Sequence, residues 1–455
     1  MRLVLVSNRL PNPAEQSGNE GGLLTAVRSA LPDEPFLWIG WNGRTSDEDP
    51  STPTRREHHG VSYVSFPLRH NDIERYYAGY ANRVLWPLFH QSPARLCYRK
   101  EDEEGYLRVN EIFAHLTAPL LHPGDVLWVH DYHLIPLAKA LRALGVRHPI
   151  GFFLHIPFPP HGALRVLPGH RRLLAGFLDY DLVGFQTADD EEAFRDAVRH
   201  EFAGGPAPPR TGVFPASIDP AECTRAAARG RRGTHGRRLL QSLTGRRLIL
   251  GVDRLDYSKG LPERLRAYER LLETQPRWHR SIVFFQIAPL SRSEIPEYAD
   301  LRAELDGIVG RILGRFADYD WLPIRYMTRG FRRDTVLGFL SLARVGLVTP
   351  LRDGMNLVAK EHVAAQPEED PGVLVLSEFA GAAHELTGAL VVNPYDPEGV
   401  AEALDRALAM PLEERRERHA SNLRAIVSAD ARAWARAFLA ELGGVPRQGS
   451  PPNPA

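Results

Sequence analysis

Short runs of Val, Ile and Leu without polar alternation recur along this chain, and segments with helical spacing lie between them. A strand buried on one face alternates apolar with polar residues. A strand buried on both faces, in a parallel sheet covered by helices, reads as a continuous apolar run. The first series of runs is Leu3–Val6, Leu37–Gly40, Val61–Phe66, Val126–His130, Ile150–His155 and Leu182–Phe185. The second is Leu248–Val252, Ile282–Ile287, Val345–Val348, Val373–Leu376 and Leu390–Val392. Helical stretches include Tyr106–Leu121, Leu261–Thr274, Glu361–Ala365 and Val400–Ala409. This order predicts an α/β chain of two doubly wound, Rossmann-like domains.

Two domains also suit a length of 455 residues, too great for one ordinary core. The break is expected within Gly204–Arg237, where "GGPAPPRTG" reads as a loop and the basic, Gly-broken "RAAARGRRGTHGRR" reads as a solvated linker face. The expected domains are residues 1–236 and 237–427, followed by a helix over 428–445 that packs back on the first domain and a disordered tail over 446–455. Lys+Arg and Asp+Glu both total 56, so net charge makes no case for nucleic acid or an anionic membrane as partner. Cys97 and Cys223 are the two cysteines, which suits a reducing cytoplasm better than a disulfide framework. "MRLVLVSNRL" turns polar too early for a signal peptide, and no apolar run is long enough to span a bilayer.

Ligands of doubly wound sheets bind beyond the carboxyl ends of strands, so the polar residues that follow the apolar runs are the candidates. After Val345–Val348 comes "TPLRDGMNLVAKE". Gly354 permits a tight turn, and Asn356, Leu357 and Val358 would open a helix whose unpaired amides and dipole suit a diphosphate. Glu361 lies one turn further on, and side chains lean toward the helix N-terminus, so its carboxylate can reach a ribose diol beside that diphosphate. Asp353 can accept sugar hydroxyls; its bland reading is a helix cap. After Leu248–Val252 comes "DRLDYSKG". Arg254 and Lys259 there would neutralise a diphosphate leaving group, unless Arg254 merely pairs with Asp253 or Asp256. "SNR" at residues 7–9 is followed by Gly21-Gly22, a pair that allows close backbone approach to a ligand. The pattern is not Gly-x-Gly-x-x-Gly, which rejects a nicotinamide site. "HDYH" from His130 and "HIPFP" from His155 end two further strands. His-Asp-x-His has metal-like spacing, but without a third acidic cluster sugar-hydroxyl contacts are the better reading, and no metal is expected. Two Asp-x-Asp pairs, in "LDYDL" and "FADYDW", read as structural: the first precedes its strand and the second lies in a loop.

"SNRL", "EGGL", "WIGWNG", "YYAGYANRVLWPLFH", "GYLRVN", "WVHDYHLIPLA", "GFFLHIPFP", "DRLDYSKGLPERL", "QIAP", "RDGMNLVAKE" and "LVLSEFAGAAHEL" together resemble the trehalose-6-phosphate synthases, the retaining glycosyltransferases of family 20, from Arg2 to about Leu442. The resemblance implies a GT-B fold, two Rossmann-like domains facing across a cleft, with the first binding the acceptor and the second the nucleotide sugar. It implies transfer of glucose from a nucleotide-diphosphate glucose, UDP-glucose first, to glucose 6-phosphate, without cofactor or catalytic metal. Both substrates are then small molecules, and a homo-oligomer is compatible with it. By resemblance the donor contacts are Gly21, Gly22, Arg254, Lys259, Phe331, Asp353, Asn356, Leu357, Val358, Ala359, Lys360 and Glu361. The acceptor contacts are Arg9, Trp41, Tyr77, Trp86, Asp131 and Arg292. The catalytic group is Asp353, Arg254, Lys259, His155 and Asp131. The residues alone offer no means of finding Trp41, Tyr77 or Trp86, for which buried core is the default. The departures are Ser217, where the family usually has Gly and hinge freedom is at stake, and the "GALRVLP" segment after His161. The rivals are a transferase using glycerol 3-phosphate or a cyclitol phosphate, and a silent sugar-phosphate-binding regulator.

Overall fold

The structure, a computed structural model, describes residues 2–11, 27, 29–31, 35–50, 52–205, 207–290 and 296–444. The described strands are β1 (Leu3–Arg9), β2 (Phe36–Ser46), β3 (Thr54–His58), β4 (Val61–Arg69), β5 (Val126–His130), β6 (Ile150–Phe153), β7 (Leu182–Phe185), β8 (Arg210–Val213), β9 (Arg247–Val252), β10 (Ile282–Ile287), β11 (Ile324–Met327), β12 (Val345–Val348), β13 (Val373–Ser377) and β14 (Leu390–Val392). Among the described residues they form two sheets, in the orders β3-β4-β2-β1-β5-β6-β7-β8 and β11-β10-β9-β12-β13-β14. All pairings are parallel except that of β3 with β4. The second order is that of a dinucleotide-type Rossmann sheet, which reverses between β9 and β12; the first sheet reverses between β1 and β5. The carboxyl ends of these four strands are therefore where each unit can bind a ligand.

The chain divides into two compact units, one containing Leu31–Pro215 and the segment from Ala433, the other containing Ala216–Arg432. The division at Pro215 differs from the expected boundary at 236, because the stretch expected to be linker is two helices, Pro220–Arg232 and Thr234–Leu243. Asp219 caps the first of these through the Glu222 amide at 2.8 Å, and Pro220 occupies its first turn. Its glycines serve packing. A Cβ on Gly230 would lie 1.8 Å from the Asp334 carbonyl oxygen, and one on Gly338 would lie 2.3 Å from the Gly230 carbonyl carbon. Helix Pro220–Arg232 thus runs backbone to backbone against helix Arg333–Leu340. Ser217 is fully buried and is not among the residues of positive φ, so the backbone there makes no demand for glycine.

Strands buried on both faces coincide with the apolar runs: β5, β7, β10 and β12 are buried throughout. Strand β3, "TRREH", is almost fully exposed and carries no apolar residue, so periodicity could not find it. Strands β8, "RTGV", and β11, "IRYM", lie at sheet edges and are too short and too mixed with polar residues to stand out as apolar runs. Strand β6 ends at Phe153, which leaves His155 in the loop beyond it. In the first unit, helix Ala431–Gly443 stacks Phe438 on Trp128 with ring centroids 4.8 Å apart. Gly151 and Gly184 make room for that ring, since a Cβ on either would approach Phe438 to 2.8 Å. The Asp-x-Asp pairs are structural ties: Asp181 accepts from Arg142 and from the Ile150 amide, both at 2.7 Å. Asp318 and Asp320 both pair with Arg280.

Candidate active site

In the second unit the loops after β9 and β12 meet at the reversal of the sheet. The Leu351 amide donates to the Ser258 carbonyl at 2.8 Å, which ties one loop to the other. Gly260 adopts φ +62° and sits where a Cβ would lie 2.5 Å from the Thr349 carbonyl oxygen, so only glycine fits beneath the β12 loop. Lys259, just before it, reaches across with Nζ 2.6 Å from Asp353 Oδ2. Asn356 donates to the same oxygen at 2.9 Å. Asp353 is also held by its backbone, its amide donating to the Phe379 carbonyl and its carbonyl accepting from the Gly381 amide. Arg254, in the same loop as Lys259, is exposed. Asp253, a candidate partner for Arg254, instead pairs with Arg264 at 2.5 Å, and Asp256 accepts from Ser258 at 3.0 Å.

Helix Leu357–Ala365 starts where the sequence places an anion site. The left-handed residue of the turn is Asn356, with φ 77°, a conformation asparagine tolerates. Its Oδ1 accepts from the Ala359 amide at 3.2 Å while its Nδ2 holds Asp353, so one side chain caps the helix and sets the carboxylate. The earlier first-turn amides, Leu357 and Val358, have no acceptor within the helix. Lys360 does not point to this face: its ammonium is fully buried, 2.6 Å from Glu385 Oε2 and 2.8 Å from the Ala216 carbonyl oxygen. The carried-over role of Lys360 thus falls to its backbone. The Glu361 carboxylate is held by Arg333, 3.1 Å away. Burial pushes the Glu361 acid up from the usual carboxylate range, and Arg333 works against that. Phe331 packs edge-on against His235 and Phe339, with Arg329 over its ring at 4.8 Å.

The residue beneath these loops that sequence reasoning missed is Arg264. It is 1% exposed, and its guanidinium reaches Asp253 at 2.5 Å, Thr349 at 3.0 Å, Gln286 at 3.1 Å and the Lys259 carbonyl at 3.3 Å. One buried cation thus joins the ends of β9, β10 and β12. A signal was present: Arg264 shares a helix face with Leu261, Leu265 and Tyr268, where an unpartnered arginine would not be tolerated.

In the first unit five of the expected acceptor residues gather at the β1/β5 reversal. Arg9, last in β1, lies over the Trp41 ring with Cζ 5.6 Å from its centroid. Trp41 meets Tyr77 at 6.1 Å, and Tyr77 stacks on His133 at 5.8 Å and 13°. Trp86 closes the group against Tyr132, next to His133, at 5.7 Å. Tyr77 comes from a π-helix, Ile73–Leu85, a rare form whose widened turns are frequent at functional sites. Trp41 and Trp86 are 7% and 5% exposed, which explains why pattern reading takes them for core.

Asp131 follows β5 with φ 76° and ψ 164°, a region otherwise left to glycine. Its backbone is pinned by amide donation to Phe153 at 2.9 Å, and its Oδ1 accepts from the His155 amide at 3.3 Å. The strain should be measurable. Asp131→Gly is expected to be more stable than Asp131→Ala by about 1–3 kcal/mol, read as a difference in thermal unfolding, while both lose turnover. Equal stabilities would mean that the backbone here is relaxed.

The His-Asp-x-His spacing does not converge on a point. His130 Nδ1 turns to His155 Nε2 at 3.0 Å, whereas His133 stacks on Tyr77. Burial pushes the His155 pKa down to about 3 and holds His130 well below its usual value. His155 is therefore a neutral imidazole near pH 7, suited to hydrogen-bonding a sugar hydroxyl and unsuited to carrying charge. Gly21, Gly22 and Arg292 lie outside the described residues.

Two doubly wound units, each with its polar residues at a sheet reversal, and one of them with a lysine, a carboxylate and a helix start arranged for a sugar diphosphate, are the build of a GT-B glycosyltransferase. The family model "Glycosyltransferase family 20" matches residues 2–443. A trehalose-6-phosphate synthase of Enterobacter sp. (strain 638) is 46% identical over 454 residues, covering 97% of this chain and 95% of that protein. A solved α,α-trehalose-phosphate synthase (UDP-forming) from Burkholderia xenovorans, in complex with glucose-6-phosphate, superposes with TM-score 0.94 at 46% identity over 98% of this chain and 100% of that one. A solved structure from E. coli, described as bound with UDP-2-fluoro glucose, gives TM-score 0.92 at 44% identity over 98% and 100%. The chain belongs to glycosyltransferase family 20, and it is an enzyme of that family.

Proposed function

We propose that this enzyme transfers glucose from UDP-glucose to glucose 6-phosphate with retention, giving α,α-trehalose 6-phosphate. The observation that carries the reading is the grouping of Lys259, Asp353 and Asn356 beside the start of helix Leu357–Ala365. The nucleotide and acceptor follow from the relatives solved with UDP-2-fluoro glucose and with glucose-6-phosphate.

The reaction is a front-face substitution. The acceptor hydroxyl approaches the anomeric carbon on the face from which the diphosphate leaves. The bond to the phosphate oxygen breaks, the new glycosidic bond forms, and the hydroxyl proton passes to the departing phosphate oxygen. Charge grows on that diphosphate, and Lys259, Arg254 and the amides of Leu357 and Val358 receive it. Asp353 takes hydroxyls of the glucosyl ring, Glu361 the ribose diol, and Phe331 lies near the base. Trp41, Tyr77, Trp86 and Asp131 hold the acceptor, Arg9 and Arg292 take its phosphate, and neutral His155 hydrogen-bonds at the sugar junction. Neither cofactor nor metal enters these steps. Among the described residues no helix is long and apolar enough to cross a membrane. Two free thiols, Cys97 exposed and Cys223 buried, suit the cytoplasm.

The test is a panel of UDP-, GDP- and ADP-glucose against glucose 6-phosphate, free glucose and glycerol 3-phosphate, with and without excess chelator. Trehalose 6-phosphate should form fastest from UDP-glucose and glucose 6-phosphate, and the chelator should leave turnover unchanged. Product from glycerol 3-phosphate alone, or turnover abolished by chelator and restored by one metal, would overturn the assignment.

A further inference from the structure

We propose that Arg333 is a positioning residue for the donor: it pins one oxygen of Glu361, so that the carboxylate offers a fixed, ionised face to the ribose of the nucleotide sugar. This rests on the reading of Glu361 given above.

Arg333 opens helix Arg333–Leu340, two residues after Phe331. Its Nε and Nη2 both lie 3.1 Å from Glu361 Oε1, its Nη1 pairs with Glu222, and its Nη2 is 3.2 Å from Cys223 Sγ. The three acceptors come from two other helices, Pro220–Arg232 and Leu357–Ala365. The guanidinium cannot follow a drifting helix, because the Gly230–Gly338 approach locks the first of these against its own. Both Arg333 contacts to Glu361 fall on Oε1, so the guanidinium anchors that oxygen and does not engage Oε2.

The arrangement also governs charge. A ribose diol presents two donors, and an ionised carboxylate, acceptor on both oxygens, suits them better than a protonated acid, which turns one oxygen into a donor. The groups facing Glu361 are Arg333, Glu222 and Cys223. Burial and Glu222 push the Glu361 acid up, and Arg333 is the cation among these neighbours that draws it down. Without Arg333, Glu361 would take up a proton nearer neutrality and lose part of its acceptor capacity. A merely structural Arg333 would tie helices together and leave ribose recognition alone.

The experiment compares wild type, Arg333→Met, Arg333→Lys and Glu361→Gln, with UDP-glucose and its 2′-deoxyribose analogue as donors, from about pH 6 to about pH 8, a range centred near the ordinary histidine pKa. For Arg333→Met, donor KM should rise about tenfold or more, the ordinary effect of losing a hydrogen bond to a charged group. kcat and the KM for glucose 6-phosphate should change little, the preference for the ribose donor should shrink, and donor KM should climb further as pH falls. Arg333→Lys should restore part of each effect and carries the test if the Met variant does not fold. The proposal is overturned if Arg333→Met keeps the wild-type ribose preference and a pH-independent KM while Glu361→Gln loses that preference. If Glu361→Gln also keeps it, the ribose reading of Glu361 falls too, and the two failures are told apart.

Discussion

Lys259→Ala is expected to lower kcat by about a hundredfold or more while donor KM changes far less. Lys259 lies at the reversal of the second sheet, its ammonium 2.6 Å from Asp353. In the resting site that carboxylate balances it. As the glycosidic bond breaks, the diphosphate gains charge, and a cation placed there stabilises the transition state more than the bound donor. Arg254→Ala should act in the same direction, through a side chain exposed at the same loop. Steady-state and single-turnover measurements with saturating UDP-glucose decide the matter. A variant with wild-type kcat and only weakened donor binding would show that Lys259 binds substrate uniformly and does not act on the leaving group.

The second large effect is on stability. Arg264→Met should destabilise the second unit by about 3–5 kcal/mol, the usual consequence of removing one partner from a buried ion pair. The cause is Asp253, 6% exposed, whose carboxylate would lose its cation while remaining buried. Burial already pushes the Asp253 acid above its usual value, and Arg264 pulls it back. In the variant the folded state therefore holds a proton on Asp253 to higher pH than the unfolded chain does. A raised acid loses stability as pH rises, so the deficit against wild type should be smaller near pH 4 than near pH 8. Hydrogen exchange at the amides of β9 and β12, followed across pH, reads this unit by itself. Adding Asp253→Asn should recover part of the loss, since it removes the stranded charge. A deficit below about 1 kcal/mol, of the size of an exposed pair, would mean that Arg264 is not the tie it resembles.

The two predictions differ in how far the sequence could reach them. Lys259, Arg254, Asp353 and Asn356 are legible as candidates because each follows an apolar run, at the carboxyl end of a strand where doubly wound sheets bind their ligands. Asp131 and His155 were legible on the same ground. Arg264 carries only the signal of an arginine on an apolar helix face and Arg333 carries none, because their partners lie elsewhere in the chain. Asp253 and Thr349, both held by Arg264, follow different strands, and Glu222 and Glu361, both held by Arg333, come from different helices. Trp41, Tyr77 and Trp86 entered by resemblance alone, since an aromatic ring lining a pocket and one filling a core leave the same pattern of spacing and burial.

By itself the sequence determined what is local. Burial on both faces forces a strand to be apolar throughout, so the interior strands stand where their runs stand, and β5, β7, β10 and β12 have the expected bounds. Glycine and asparagine favour left-handed turns and short polar side chains favour helix starts, so the loops that carry the candidate site stand out. Only the tertiary structure decided what those loops meet. Strand order, which no stretch of sequence states, sets β9 beside β12 and so brings Lys259 to Asp353. It also decided that the glycines of a basic stretch are helix contacts and not a linker, that Lys360 turns into the core, and that Asp131 holds a backbone conformation meant for glycine. Each of these depends on atoms contributed by distant segments, and the free energy that selects them exists only once those segments are packed together.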